Sequence, residues 1–159
     1  MTTDLIQPLH EGQIPDLLEI EQQSHIAPWS QKIFESSFNA RSHQFGLSHK
    51  GQLVGFYFCQ FVANEMTLEN ICIDKSQQGK GFARKLMQHL IVHASAIETE
   101  EIWLEVRESN HSAIQLYKSF GFEQMGLRKN YYAIPNAGPN ASLNSAAREH
   151  ALLMRKLLT

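Results

Sequence analysis

Cysteine is scarce: Cys59 and Cys72 are the two thiols in 159 residues, each inside an apolar, strand-like run and neither in a CxxC pair. That spacing argues against a cysteine zinc site or a dithiol redox motif, and predicts two buried thiols in a reducing compartment. An excess of either charge is also missing. Fourteen Lys and Arg against sixteen Asp and Glu leave a net charge of −2, with no broad basic footprint for direct contact with nucleic acid. No apolar run approaches membrane-spanning length. The start "MTTDLIQPLHEG" has neither a basic n-region nor an apolar h-region, so the expectation is a cytoplasmic protein without a membrane partner. What is present is ordinary: 43% hydrophobic and 19% charged residues, enough for one domain over 1–159 with a real core.

Periodicity predicts a mixed α/β domain. Residues 3–7 suit a short strand, and Pro15 suits the first turn of a helix carrying Ile14, Leu17, Leu18 and Ile20. In "APWSQKIFESSF", Ser30 is placed as an N-cap, with Trp29 and Phe34 as a hydrophobic staple. "FGLSHKGQLVGFYFCQFV" reads as a hairpin turning at Lys50-Gly51. "EMTLENICID" reads as a strand with Leu68, Asn70 and Cys72 on one face and Glu69, Ile71 and Ile73 on the other. "EIWLEVRE" alternates too, with Trp103, Glu105 and Arg107 on one face. Asn110 is a plausible cap, and Gly121 a C-terminal stop, for a short helix between them. The segment 133–148 reads as a long loop, and "REHALLMRKLL" fits strand or helix.

The most informative punctuation is "QQGKGFARKLM", two glycines entering an amphipathic helix. A helix start presents unpaired N–H groups and the positive end of the macrodipole, which suits a phosphate. A P-loop needs GxxxxGK followed by Ser or Thr, and Lys80 lies between the glycines instead. A dinucleotide fingerprint needs a third glycine where Arg84 stands. Gln78-Gly79-Lys80-Gly81-Phe82-Ala83 does fit Gln/Arg-x-x-Gly-x-Gly/Ala between a strand and a helix. Here the sequence resembles the GNAT superfamily of acyl-CoA-dependent N-acetyltransferases. "NICIDKSQQGKGFARKLMQHL", "IWLEVRESNHSAIQLYKSFGF", "RKNYY" and "APWS" are similar, more narrowly, to bacterial RimI-type ribosomal-protein alanine N-acetyltransferases.

The resemblance implies a mixed, mostly antiparallel sheet flanked by helices, with two splayed central strands. It implies acetyl-CoA as co-substrate, no metal, and the N-terminus of a ribosomal protein as acceptor. Backbone groups of Ile71, Cys72 and Ile73 would line the acetyl-pantetheine arm. Gln78, Gly79, Lys80, Gly81, Phe82, Ala83 and Arg84 would hold the pyrophosphate, with Asn110 as a further cofactor contact. Glu105 would be the general base and Tyr117 the acid that protonates the departing sulfur. Trp29, Tyr131 and Tyr132 would line the acceptor groove.

Each assignment has a plainer alternative. Glu105 could pair with its same-face neighbour Arg107, Tyr117 could be a core tyrosine, and Asn110 could be an N-cap alone. His89 and His93 have the i, i+4 spacing of a metal pair, but "HLIVH" lacks the glutamate of HExxH and no third ligand is evident. Freeing a chain-terminal amine at neutral pH costs about 1.4 kcal/mol against about 4.6 for lysine, so one carboxylate base suits an α-amine better. A small-molecule amine acetyltransferase and a non-catalytic acyl-CoA-binding module are the other readings, and the second needs neither Glu105 nor Tyr117. Glu69 stands where the family often has an apolar residue, which implies a different local solvation near the pantetheine arm, whereas His150 and the long segment 133–148 depart from the family pattern near the acceptor entrance.

Overall fold

The computed structural model describes residues 4–134 and 148–158. Its strands are β1 (Leu5–Pro8), β2 (Ser42–His49), β3 (Gln52–Val62), β4 (Glu65–Ile73), β5 (Glu101–Arg107), β6 (Glu123–Ala133) and β7 (Arg148–Leu157). Its helices are α1 (Ile14–Ser24), α2 (Gln31–Ser37), α3 (Phe82–Ala96) and α4 (His111–Ser119). One sheet runs in the order β1-β2-β3-β4-β5-β7-β6. Every neighbouring pair is antiparallel except β4 and β5, which run parallel. The ambiguous tail is therefore a strand, β7, inserted between β5 and β6. Most of the expected loop 133–148 lies outside the described residues.

Local chemistry accounts for the element boundaries. Ser30 Oγ accepts the Ile33 N–H at 3.2 Å to start α2, and Trp29 meets Phe34 edge-on at 5.2 Å between centroids. Lys50 and Gly51 both have positive φ, as a two-residue hairpin turn of this hand requires. Two cores sandwich the sheet. One packs α3 and α4 on it through Leu86, Met87, Leu90, Ile114 and Tyr117; the other packs α1 and α2 through Leu17, Ile20 and Phe34.

The parallel ladder is short. It pairs Glu65–Leu68 with Glu101–Leu104 and then stops, although both strands continue. Met66, Leu68, Ile102 and Leu104 are buried on the α3 side of the closed end, where each is worth about 1.5–3 kcal/mol. At the next residue β4 has a bulge: Cys59 faces Leu68 and Phe58 faces Asn70, so Glu69 is the extra residue. Past it, β4 stays paired to β3, while β5 stays paired to β7 through Glu105↔Leu153 and Arg107↔Ala151. The strands diverge as a fork whose inner edges are not laddered to each other.

The bulge also corrects the expected faces of β4. An extra residue shifts the alternation by one. Leu68 shares the α3 face with Ile71 and Ile73, whereas Cys72 packs with the α1–α2 core. Glu69 belongs to neither set and lines the cavities on the open side.

Candidate active site

Three connected cavities follow the fork. The first, about 560 Å³, lies along Ile71, Cys72, Ile73, Gln78, Gly79 and Gly81 and reaches Phe82, Ala83, Arg84, Asn110 and Tyr117. The second, about 490 Å³, occupies the gap itself, with Glu69, Ile71, Glu105, Asn110, Tyr117 and Tyr132 on its wall. The third, about 890 Å³, opens outward past Trp29, Glu69, Glu105, Arg128, Tyr131 and Tyr132. Tyr117 is common to the first two, and Glu105 to the last two.

The turn side is made of backbone. Gly79 and Gly81 have φ of 79° and 84°, and a Cβ at either would meet nothing within 4 Å. Both positions therefore use the left-handed conformation that glycine adopts freely and leave open space above the chain. Gly81 is the N-cap of α3 and supplies no capping side chain; the first amide bonded inward is that of Lys85, to the Gly81 carbonyl at 3.2 Å. The amides of Phe82, Ala83 and Arg84 thus point out of a bare helix start. The Phe82 ring is buried in the core, so this residue can offer a ligand only its backbone. Gln78 Nε2 donates to the Ile73 carbonyl at 3.1 Å, and Ser24 Oγ donates to the same oxygen at 3.0 Å. Lys80 is the one member of the expected set absent from the cavity wall; its Nζ donates to Gln77 Oε1 at 3.0 Å.

The opposite side is made of side chains. On β5, Ile102, Leu104 and Val106 go into the core and Trp103, Glu105 and Arg107 face the open side, as the alternation predicts. The alternative same-face pair of Glu105 with Arg107 does not form. Glu105 Oε1 meets Arg128 Nε at 3.1 Å, whereas Arg107 Nη1 goes to Glu149 at 3.3 Å and to the Ala133 carbonyl at 3.0 Å. Cross-strand reach to β6 and β7 replaces the i, i+2 contact. Glu149 is buried; burial pushes its carboxyl up, but Ser109 and Arg107 outweigh this and hold it below the usual range. Arg107 also lies over the Tyr132 ring at 4.5 Å, and Arg128 over Tyr131 at 5.0 Å. Three residues of β6, 129–131, bulge between the Arg128↔Ala151 and Tyr132↔Glu149 pairs, and His150 Nδ1 accepts the Asn130 N–H at 2.9 Å. That bulge carries Tyr131 to the rim of the outer cavity.

Tyr117 is 6% exposed, on α4 against Phe122. Burial, and then the nearby Tyr132, push its phenol well above the ordinary value. Burial also raises Tyr132 to about 12, with Glu105 and Tyr131 adding to it and Arg107 and Arg128 acting against it. A phenol of this kind stays protonated at neutral pH and can donate to a stronger base. Asn110 is the N-cap the sequence allowed, its Oδ1 accepting the Ala113 N–H at 3.3 Å at the start of α4, and it also lines two of the cavities.

Three parts of this site were not predicted from sequence. Arg128 is one. Another is a buried network in which Glu21 accepts from His25 Nδ1 at 3.0 Å, the Trp29 N–H at 2.9 Å and Asn70 Nδ2 at 3.0 Å. It fixes the "APWS" turn and Trp29 beside the gap. A carboxylate at i+4 from Leu17, on the apolar stripe of α1, was the available signal. The third is Glu69, which Thr67-Leu68-Glu69-Asn70 betrays by two consecutive polar residues in an alternating run. Among the described residues, Glu21, His25 and Cys72 are the His, Cys and carboxylate group whose ligand atoms lie within 4.8 Å of one another. There the Glu21 oxygens already accept from three protein donors. His89 and His93 hydrogen-bond Tyr57 and His43 respectively, each at 2.9 Å.

A parallel pair that opens into a fork, with a bare glycine-flanked helix start on one arm and a carboxylate on the other, defines an acyl-transfer scaffold. The chain belongs to the acetyltransferase (GNAT) family, whose model matches residues 14–122. It is 40% identical over 127 residues to the [ribosomal protein bS18]-alanine N-acetyltransferase of Escherichia coli, covering 80% of this chain and 86% of that one. It is 35% identical over 150 residues to the enzyme of the same name from Haemophilus ducreyi, covering 94% and 97%. The crystal structure of the Escherichia coli ribosomal-protein-S18-alanine N-acetyltransferase superposes with a TM-score of 0.89 at 35% identity, over 99% of this chain and 95% of that one. The expected GNAT fold with splayed strands is the observed one. Among the described residues, no helix is long and apolar enough to cross a membrane.

Proposed function

We propose that this chain, acting as one domain over 1–159 in the cytoplasm, acetylates the α-amine of the N-terminal alanine of ribosomal protein bS18, with acetyl-CoA as donor. The observation that carries the reading is that Glu105 and Tyr117, on different elements, face one cavity that continues along the bare start of α3. The relatives and the match of this chain to nearly their whole length support the acceptor.

The cradle fits acetyl-CoA. Open space above Gly79 and Gly81 admits a bulky anion close to the backbone, and uncapped amides meet phosphate oxygens. The inner edge of β4 at Ile71 and Cys72 offers unladdered backbone polar groups to an amide-containing arm. When bound, acetyl-CoA supplies an activated acyl carbon and a thiolate leaving group. Glu105 accepts a proton from the acceptor ammonium, directly or through water, which leaves a neutral amine able to attack. Arg128 holds the carboxylate in place. Tyr117 donates its phenolic proton to the departing sulfur and is restored by the second proton that the attacking nitrogen gives up as the amide forms; burial keeps the phenol protonated until charge develops on the sulfur. Trp29, Tyr131 and Tyr132 wall the acceptor groove.

The test is mass spectrometry of a ribosomal-protein mixture incubated with the enzyme and acetyl-CoA. One acetyl group on the α-amine of bS18 is the expected product. Modification of polyamines with bS18 left untouched would overturn the reading.

A further inference from the structure

Glu69 and Glu105 are the first residues on the two arms of the fork, because the parallel ladder ends at Leu68 opposite Leu104. Both face the gap and the outer cavity. Their surroundings differ. Glu105 has Arg128, Glu149 has Arg107, and Glu21 has His25. Among the described residues Glu69 has no cationic partner, and the side chain that hydrogen-bonds it is the neutral Gln60. Burial pushes its carboxyl above the usual range, with Gln60 acting weakly the other way. The Glu69 side chain is exposed on the cavity wall, and a carboxylate lacking a counter-ion gains more from a cationic guest than one already paired.

The bulge explains why this anion is in the gap at all. As the extra residue of β4, Glu69 is released from the alternation that sends Leu68 and Ile71 into the core. An acceptor chain entering extended past Trp29 presents its amine to one arm. Successive side chains of such a chain alternate in direction, so the second one turns away from the first and toward the other arm.

Resting on the acetyltransferase reading above, we infer that Glu69 is a specificity residue that binds a positively charged side chain immediately behind the reacting amine. The acceptor class is therefore an N-terminal segment beginning Ala-Lys or Ala-Arg. Glu69 takes no proton in the reaction; that task stays with Glu105.

The experiment compares peptides that differ only at their second residue, Ala-Lys, Ala-Ser and Ala-Glu, with the wild type and with Glu69→Gln and Glu69→Lys. It reads kcat and KM for each, and the Kd of each peptide by calorimetry in the presence of coenzyme A. The wild type should favour Ala-Lys over Ala-Ser by about fivefold, the upper scale of one exposed charge pair, and the difference should reside in KM and Kd. Glu69→Gln should bring the two peptides to within about twofold, and Glu69→Lys should shift the preference to Ala-Glu. An unchanged Ala-Lys preference in Glu69→Gln overturns the inference. So does an equal loss of kcat on every peptide, which would put Glu69 in the chemistry. Peptides acetylated without preference by the wild type overturn the selection alone. A wild type that acetylates no peptide but does acetylate spermidine overturns the functional reading as well.

Discussion

The two arms of the fork are built from different material. The β4–α3 arm presents backbone to its cavity: two left-handed glycines, three uncapped amides and an open strand edge. The β5–β6 arm presents side chains drawn from the α2 approach, β4, β5 and β6, with Glu105 held across strands by Arg128. Backbone donors are indifferent to most substitutions, so a surface made of them can stay constant while the sequence drifts. A side-chain surface changes character with one residue, as Glu69 does here. The first arm thus suits a ligand that never varies, and the second a ligand that distinguishes one enzyme from another.

This division is challenged most severely at Glu105. Glu105→Gln should lower turnover about a thousandfold at neutral pH, within the range of about 10²–10⁴ for a positioned base, and leave acetyl-CoA binding intact. Part of the loss should return near about pH 9, where the α-amine is already neutral. A steady-state pH profile checks this, and undiminished turnover would move the base elsewhere.

A smaller effect is expected from the support of the side-chain arm. Glu21→Ala leaves His25, the Trp29 amide and Asn70 without their common acceptor and should cost about 3 kcal/mol in urea unfolding. Burial pushes the Glu21 carboxyl up, but these donors win and hold it below its ordinary 4.5 in the folded state. A depressed carboxyl stabilises fully above its unfolded pKa and loses that contribution as pH falls through the folded one. The gap between wild type and variant should therefore close in acid and be widest at neutral pH.

Tyr117→Phe tests the point where the arms meet. Turnover should fall about a hundredfold, while the Kd of acetyl-CoA changes little because the ring still fills its place against Phe122. Lost binding with normal turnover at saturation would make the residue packing. The smallest change is expected on the backbone arm. Gly81→Val at φ 84° puts a β-branched residue in the left-handed region at about 1–2 kcal/mol, so acetyl-CoA should bind about tenfold more weakly, with the acceptor KM unaffected.

The same division separates what is legible in the amino-acid sequence from what is not. The glycine turn, the start of α3 and the alternation of "EIWLEVRE" are local, and each is where the sequence predicts it. Ser30 and Asn110 likewise cap α2 and α4 through neighbours three residues away. The faces of β4 past Leu68 depart from simple alternation, since a bulge is set by pairing with β3 rather than by the strand's own pattern. The partner of Glu105 is not the same-face neighbour Arg107, for a related reason. Arg128 is brought in by the β5-β7-β6 order, in which the last strand of the chain separates two earlier ones. Nothing beside Glu105 in the sequence announces it. Local chemistry is legible, and contacts made by topology are not.

A crystal structure with acetyl-CoA bound would decide whether the fork holds the donor as described. Pyrophosphate oxygens are expected on the amides from Gly79 to Arg84, the pantetheine arm along the inner edge of β4, and the thioester in the gap between Glu105 and Tyr117. Acetyl-CoA bound on another face of the sheet, or lying in the gap with its pyrophosphate away from the start of α3, would refute that placement.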